Sequence, residues 1–243
     1  GSRGALLLEP YTDAPGKSGL QVNETTYLKD ICQKCYDAGY QVATHCIGDS
    51  ANRLMLNIYK DILKGPNDRR WRIEHAQIIH PDDFHLFHDF SIVPSVQTTH
   101  ATSDMYWAED RLGPERIKGA YAYKTLMEQN GWIPNGSDFP VERINPLFGF
   151  FAGFARMDQS GYPSGGWMPE NALTREEALK AMTIWAARSC FEEAERGSIE
   201  PGKKADFVVL DSDIMKAETM EVPHVRVLQT WIGGEEVYPA PGK

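Results

Sequence analysis

The chain has 243 residues, 42% of them hydrophobic, with six Trp, ten Tyr and ten Phe. That is too much apolar mass for general disorder, and enough for one substantial core with a small appendage. A net charge of −9, with no cluster of Lys and Arg, argues against nucleic acid and anionic membranes as partners. No apolar run approaches the roughly 20 residues of a membrane span. Ala5–Leu8 is too short for the core of a secretion signal. The four cysteines, Cys32, Cys35, Cys46 and Cys190, are too scattered for a disulfide framework. They point to a reducing compartment and a cytoplasmic location.

Residues 1–20 are punctuated by Pro10, Pro15, Gly16 and Gly19 and read as irregular. A helix opens at Asn23 or Glu24 and stops at Gly39, with Tyr27, Leu28, Ile31 and Cys35 on its expected buried face. Residues 41–46 read as a strand, Ser50 to Leu63 as a helix closed by Gly65-Pro66, and 71–77 as a second strand. Pro81 starts a helix through F-H-L-F-H, and 91–97 is a third strand, with Pro94 marking a kink or bulge. A polar and aromatic loop covers 98–112. Pro114 then opens a helix to about Gln129, and 131–137 is a fourth strand.

Pro146 begins a further helix, a Gly/Pro/Ser loop spans 158–170, and Thr174 with Glu177 three residues on forms a capping box for the helix that follows. The tail changes character. A β-branched strand follows G-S-I-E-P-G-K-K-A-D, and Gly233-Gly234 turns a hairpin. Fourfold strand–helix alternation, with strands starting roughly 30 residues apart, means a parallel sheet with crossover helices. The expected fold is α/β: the C-terminal half of a TIM-type (β/α)8 barrel over 1–195, plus part of a small β-sandwich over 196–243.

Three strand ends carry metal-competent side chains: His45 after Q-V-A-T, His75 after R-I-E, and Asp138 after N-G-S. Taken singly, each histidine reads as a satisfied core residue and the aspartate as a turn or cap. Taken together they fall on the one face of a parallel barrel where active sites sit. Gln97 ends the third strand and His100 follows it, so both are candidate substrate contacts. Asp49 is either a substrate contact or a helix N-cap. His85 and His88 share a helix face, but H-L-F-H lacks the glutamate of a zincin motif. Cys32-Gln-Lys-Cys35 is a lone C-x-x-C inside a helix, without the second pair a zinc site needs.

The runs T-H-C-I-G-D, R-I-E-H-A-Q, P-S-V-Q-T-T-H-A-T-S-D-M and G-S-D-F-P-V, with the tail G-S-I-E-P-G-K-K-A-D-F-V-V-L-D, resemble the amidohydrolase superfamily. Within it they look most like the branch of YtcJ-like proteins and N-substituted formamide deformylases, over nearly the whole chain. The resemblance implies a metal-dependent hydrolase of non-peptide C–N bonds in small amide-type molecules. His45 and His75 would be the metal histidines of strands five and six. Asp138 would be the strand-eight aspartate that binds metal and shuttles the proton. One or two divalent ions are implied. Imidazoles and a carboxylate suit zinc, which drops the pKa of bound water toward about 7.

The family's H-x-H at strand one and its strand-four bridging group have no counterpart in this sequence. The expectation is therefore a C-terminal portion, with the other barrel half upstream or on a partner chain, and further copies of the chain in a homo-oligomer compatible with the class. The competing expectation is a truncated or degenerate amidohydrolase-like domain that binds or assembles without catalysis.

Overall fold

The computed structural model describes residues 3–239, so the outermost residues of the expected spans lie outside it. The chain divides into two compact units, 1–133 and 134–243.

The first unit is built on a parallel sheet of three short strands in the order β1 (Ala43–Cys46), β2 (Arg72–His75) and β3 (Val93–Ser95). These are the first three expected strands, the first trimmed at its start and the other two at both ends. Helix α1 (Thr25–Asp37) precedes β1, and α2 (Asp49–Leu63) connects β1 to β2. A 3-10 turn at Pro81–Asp83 and the short α3 (His85–Asp89) lead to β3. Helices α4 (Thr98–Asp104), α5 (Ala108–Arg116) and α6 (Tyr123–Asn130) follow. The core lies between the sheet and its helices. Trp71, Ile73, Leu56, Tyr59 and Phe87 are fully buried there, and Trp71 meets Tyr59 edge-on at 4.9 Å.

Strand ends and loops are joined by one buried side chain. The Asn52 amide lies within hydrogen-bonding reach of the carbonyls of Cys46, Ile47, Gly48 and Ile78 at 2.9–3.3 Å, so α2 holds the ends of the first two strand–loop units together.

Several expectations change. Helix α1 buries Cys32, while Tyr27 and Ile31 are exposed, so its covered face is rotated from the one the periodicity suggests. The expected loop 98–112 is largely helical. The expected helix from Pro114 to Gln129 is interrupted. Gly113 kinks α5, a 3-10 turn follows at Ile117–Gly119, and Tyr121 adopts a left-handed backbone before α6 begins. Among the described residues, the fourth expected strand, 131–137, is reduced to a single bridge residue, Asn135. Pro134 in its middle has no amide to donate, which disfavours a paired central strand.

The second unit holds α7 (Pro146–Ala155), α8 (Arg175–Met182), α9 (Ile184–Ser189) and an antiparallel sheet of β4 (Phe207–Leu210), β5 (Val227–Ile232) and β6 (Glu235–Tyr238). Asn145 caps α7 by accepting from Leu147 N at 3.0 Å. The Thr174–Glu177 capping box is present with both of its bonds, at 3.1 and 2.8 Å. Gly233 and Gly234 both take positive φ, as a tight hairpin turn requires. Across β4 and β5 the rings of Phe207 and Trp231 stack at 5.6 Å. The expected boundary at 195/196 falls inside this unit, because α7 packs against α8 and against the 3-10 turn at Thr219–His224.

Two substitutions check this architecture. Ile73→Ala opens a cavity at the centre of the parallel sheet and should cost about 2–5 kcal/mol. Thr174→Ala removes one capping bond and should cost about 1 kcal/mol. Denaturant unfolding followed by circular dichroism measures both, and equal losses would contradict the assignment of Ile73 to the core.

Candidate metal centre

The parallel register pairs His45 with Glu74 and Cys46 with His75. Regular alternation would therefore put the two histidines on opposite faces. The backbone breaks that alternation. His75 has φ +75° and Ala76 has φ +43°, two successive non-glycine residues in the left-handed region. The His75 ring stands 4.4 Å from that of His45, nearly perpendicular to it. Each such residue costs on the order of 1–3 kcal/mol, which the surrounding packing must offset.

His100 joins them from α4, its ring 5.6 Å from that of His75. His75 and His100 are 7% and 8% exposed, whereas His45 is exposed on the outer strand β1. Gln97 is the N-cap residue of α4 and is buried. Its carbonyl accepts from Tyr123 Oη at 3.1 Å, while its Oε1 meets no donor among the described residues. A buried acceptor left in that state costs about 1–3 kcal/mol unless a ligand or water satisfies it. The imidazole set and this waiting acceptor fit a site for a divalent ion and a polar substrate.

The other candidates have these local settings. Asp138 lies in the second unit with φ +57°, and its carbonyl accepts from Val141 N at 2.8 Å. The Asp49 carboxylate accepts from Leu8 N and Ser50 N, both at 2.9 Å, and is buried. It ties the N-terminal loop to the start of α2, whose N-cap residue is Gly48. Arg72 and Glu74 pair with each other at 2.9 Å on one face of β2. His88 reaches the carbonyl of Gln129 at 3.1 Å, beside the C-terminal end of α6, as expected of an outer helix. Sequence reasoning underrated Tyr121, Gln77 and Asp104, which hydrogen-bond to one another beside the histidines. The hint was the placement of Gln77 two residues after His75.

The amidohydrolase family matches residues 1–238. The chain belongs to the amidohydrolase family. It is 37% identical over 242 residues to the protein LONG AFTER FAR-RED 3 of Arabidopsis thaliana, covering 98% of this chain and 41% of that protein. It is 34% identical over 240 residues to the putative amidohydrolase YtcJ of Bacillus subtilis, covering 98% of this chain and 45% of YtcJ. N-substituted formamide deformylase of Arthrobacter pascens is 26% identical over 218 residues, covering 88% of this chain and 40% of the enzyme. Among solved structures, an uncharacterized metal-dependent hydrolase from Pyrococcus horikoshii superposes with a TM-score of 0.79 at 31% identity, over 90% of this chain and 44% of that one. The chain thus spans less than half the length of the relatives it matches. Its α/β fold is of the amidohydrolase type.

Burial argues against redox chemistry at the C-x-x-C pair. It pushes the Cys32 thiol up to about 11, with Cys35 adding to the effect, and the Cys46 thiol up to about 12. At mildly alkaline pH an alkylating reagent should label the exposed Cys190 quickly, and Cys32 and Cys46 only after unfolding. Mass spectrometry of a labelling time course reads this, and Cys32 reacting as fast as Cys190 would restore the redox reading.

Proposed function

We propose that this chain carries part of the active site of a zinc-dependent hydrolase acting on C–N bonds of small amide-type molecules. The observation that carries the reading is the ring contact of His45 and His75 at adjacent parallel strand ends, 4.4 Å apart. Family membership supports it, and the name of the Arthrobacter pascens relative supports the choice of an N-substituted amide. In this reading the first unit and the start of the second belong to the C-terminal half of a (β/α)8 barrel. The antiparallel sheet of β4, β5 and β6 belongs to a small sandwich.

His45 and His75 hold the ion through neutral imidazole nitrogens, and Asp138 adds a carboxylate. When bound, a divalent ion supplies a Lewis acid and brings the pKa of a coordinated water toward about 7. Asp138 accepts the attacking water's proton and returns it to the departing nitrogen, so that the amine leaves neutral. His100 and the Gln97 side chain orient the substrate. The unsatisfied Oε1 of Gln97 selects for an N–H donor on it.

The test uses the intact protein that contains this chain, with zinc counted by plasma emission spectrometry and hydrolysis followed on N-substituted formamides. His75→Ala should lower both zinc content and turnover to background, and Asp138→Asn should abolish turnover while leaving much of the zinc. His85→Ala should change neither. Full zinc and full activity in His75→Ala would overturn the site.

A further inference from the structure

Three non-glycine residues with left-handed backbones, His75, Ala76 and Tyr121, belong to two segments held side by side. Tyr121 N donates to the Gln77 carbonyl at 2.7 Å. Ile79 N donates to the Gly119 carbonyl at 2.9 Å, and Ile78 forms a bridge with Ala120. The loop that follows His75 is therefore zipped to the segment that precedes α6.

The side chains of that zipper close a small ring. Tyr121 Oη donates to Asp104 Oδ2 at 2.9 Å. The Gln77 amide lies 3.1 Å from the same carboxylate oxygen and 2.9 Å from Tyr121 Oη. Tyr121 is 1% exposed and Gln77 6%. Asp104 is the last residue of α4, and His100 stands one turn before it on the same helix. At the other end of α4, Tyr123 Oη holds the carbonyl of Gln97. The segment Tyr121-Ala122-Tyr123 thus grips α4 at both ends, one phenol at each, with the two rings perpendicular at 6.4 Å.

We infer that Tyr121 and Gln77 are positioning residues that, through Asp104, fix the separation of His75 and His100. The inference rests on the proposed reading of these histidines as part of the metal and substrate site. The chemistry favours a clamp of this kind. A carboxylate at the C-terminal end of a helix opposes the helix dipole and needs strong donors from elsewhere. Both donors are non-ionic. Burial, with the neighbouring Asp104 adding to it, holds the Tyr121 phenol well above the usual tyrosine range, so it stays a donor throughout neutral pH. Gln77 is covalently part of the His75 loop and Asp104 of the His100 helix. Their bond is a direct tie between the elements that carry the two rings, and Tyr121 braces both partners from a third element.

The experiment compares Tyr121→Phe, Gln77→Leu and the double variant with the unsubstituted protein. Histidine ring resonances are read by NMR in the metal-free state, and zinc affinity by competition with a chelating dye. Each single variant should move the His75 and His100 resonances and leave those of His85 and His88 in place. Zinc affinity should fall about tenfold, as loss of a support around a metal ligand typically does. The double variant should lose little more than the worse single one, because the groups act as one unit. Asp104→Asn, which keeps a carbonyl acceptor, should lose less than Asp104→Ala. Gln77→Leu decides the matter alone if Tyr121→Phe fails to fold. Unchanged His75 and His100 resonances in the folded variants would overturn the clamp, whatever their melting temperatures. If the unsubstituted protein holds no zinc, the functional reading fails instead, and the resonance shifts still judge the clamp.

Discussion

The left-handed turn at His75-Ala76 is the constraint on which the first unit's site depends. Without it, the register of β1 and β2 puts the second histidine beside Cys46, in the buried layer behind the strand. With it, two imidazoles from adjacent parallel strands meet at one end of the sheet. Neither residue at the turn is glycine, so the conformation is held against its intrinsic preference. The structure supplies the restraint from both sides. Ile73 and Trp71 anchor β2 in the core, and the zipper from Gln77 to Tyr121 holds the chain that leaves the turn.

Polar side chains do much of the fixing around that turn. Asn52 gathers carbonyls from two loops, and Asp49 binds the amide of Leu8. Arg116 reaches the carbonyls of Glu9 and Pro10 at 2.8 Å. Each satisfies backbone groups that strand ends and irregular segments leave without ladder partners. A site on strand ends needs such ties, since the parallel strands are only three or four residues long. Short strands deliver side chains accurately only when the loops that follow them are held as firmly as the ladders.

Much of this was legible in the sequence, and the limits have physical causes. The apolar runs ending in His45 and His75 gave two strands, and the capping box at Thr174 and the glycine pair at 233–234 gave a helix start and a hairpin, because each rests on local chemistry. The stretch 131–137 misled because its apolar pattern was weighed above Pro134, which takes one donor out of any ladder. The break at Tyr121 was illegible, since nothing in A-Y-A-Y-K disfavours a helix; its left-handed backbone is imposed by contacts with Gln77 and Asp104, far away in sequence. The same blindness hid the clamp. Strand-end placement can nominate His45, His75 and Asp138, whereas the groups that support a ligand are found only when distant segments are seen side by side.

Family membership and site geometry answer different questions here. The family narrows the fold, but one fold of this type serves many substrates. Selectivity must come from groups that meet the substrate away from the ion. In the first unit the informative group is Gln97. Its backbone is held by Tyr123, its side chain is buried, and its Oε1 faces no donor among the described residues. An acceptor fixed in that state rewards a ligand bearing an N–H and penalises an isostere without one, because the buried oxygen would then stay unpaired. In the proposed reading, a hydrolase of N-monosubstituted amides meets that requirement, and an esterase does not. The same α4 that carries Gln97 carries His100 and ends in Asp104, so the element proposed to read the substrate is also the one that the Tyr121 clamp holds against His75.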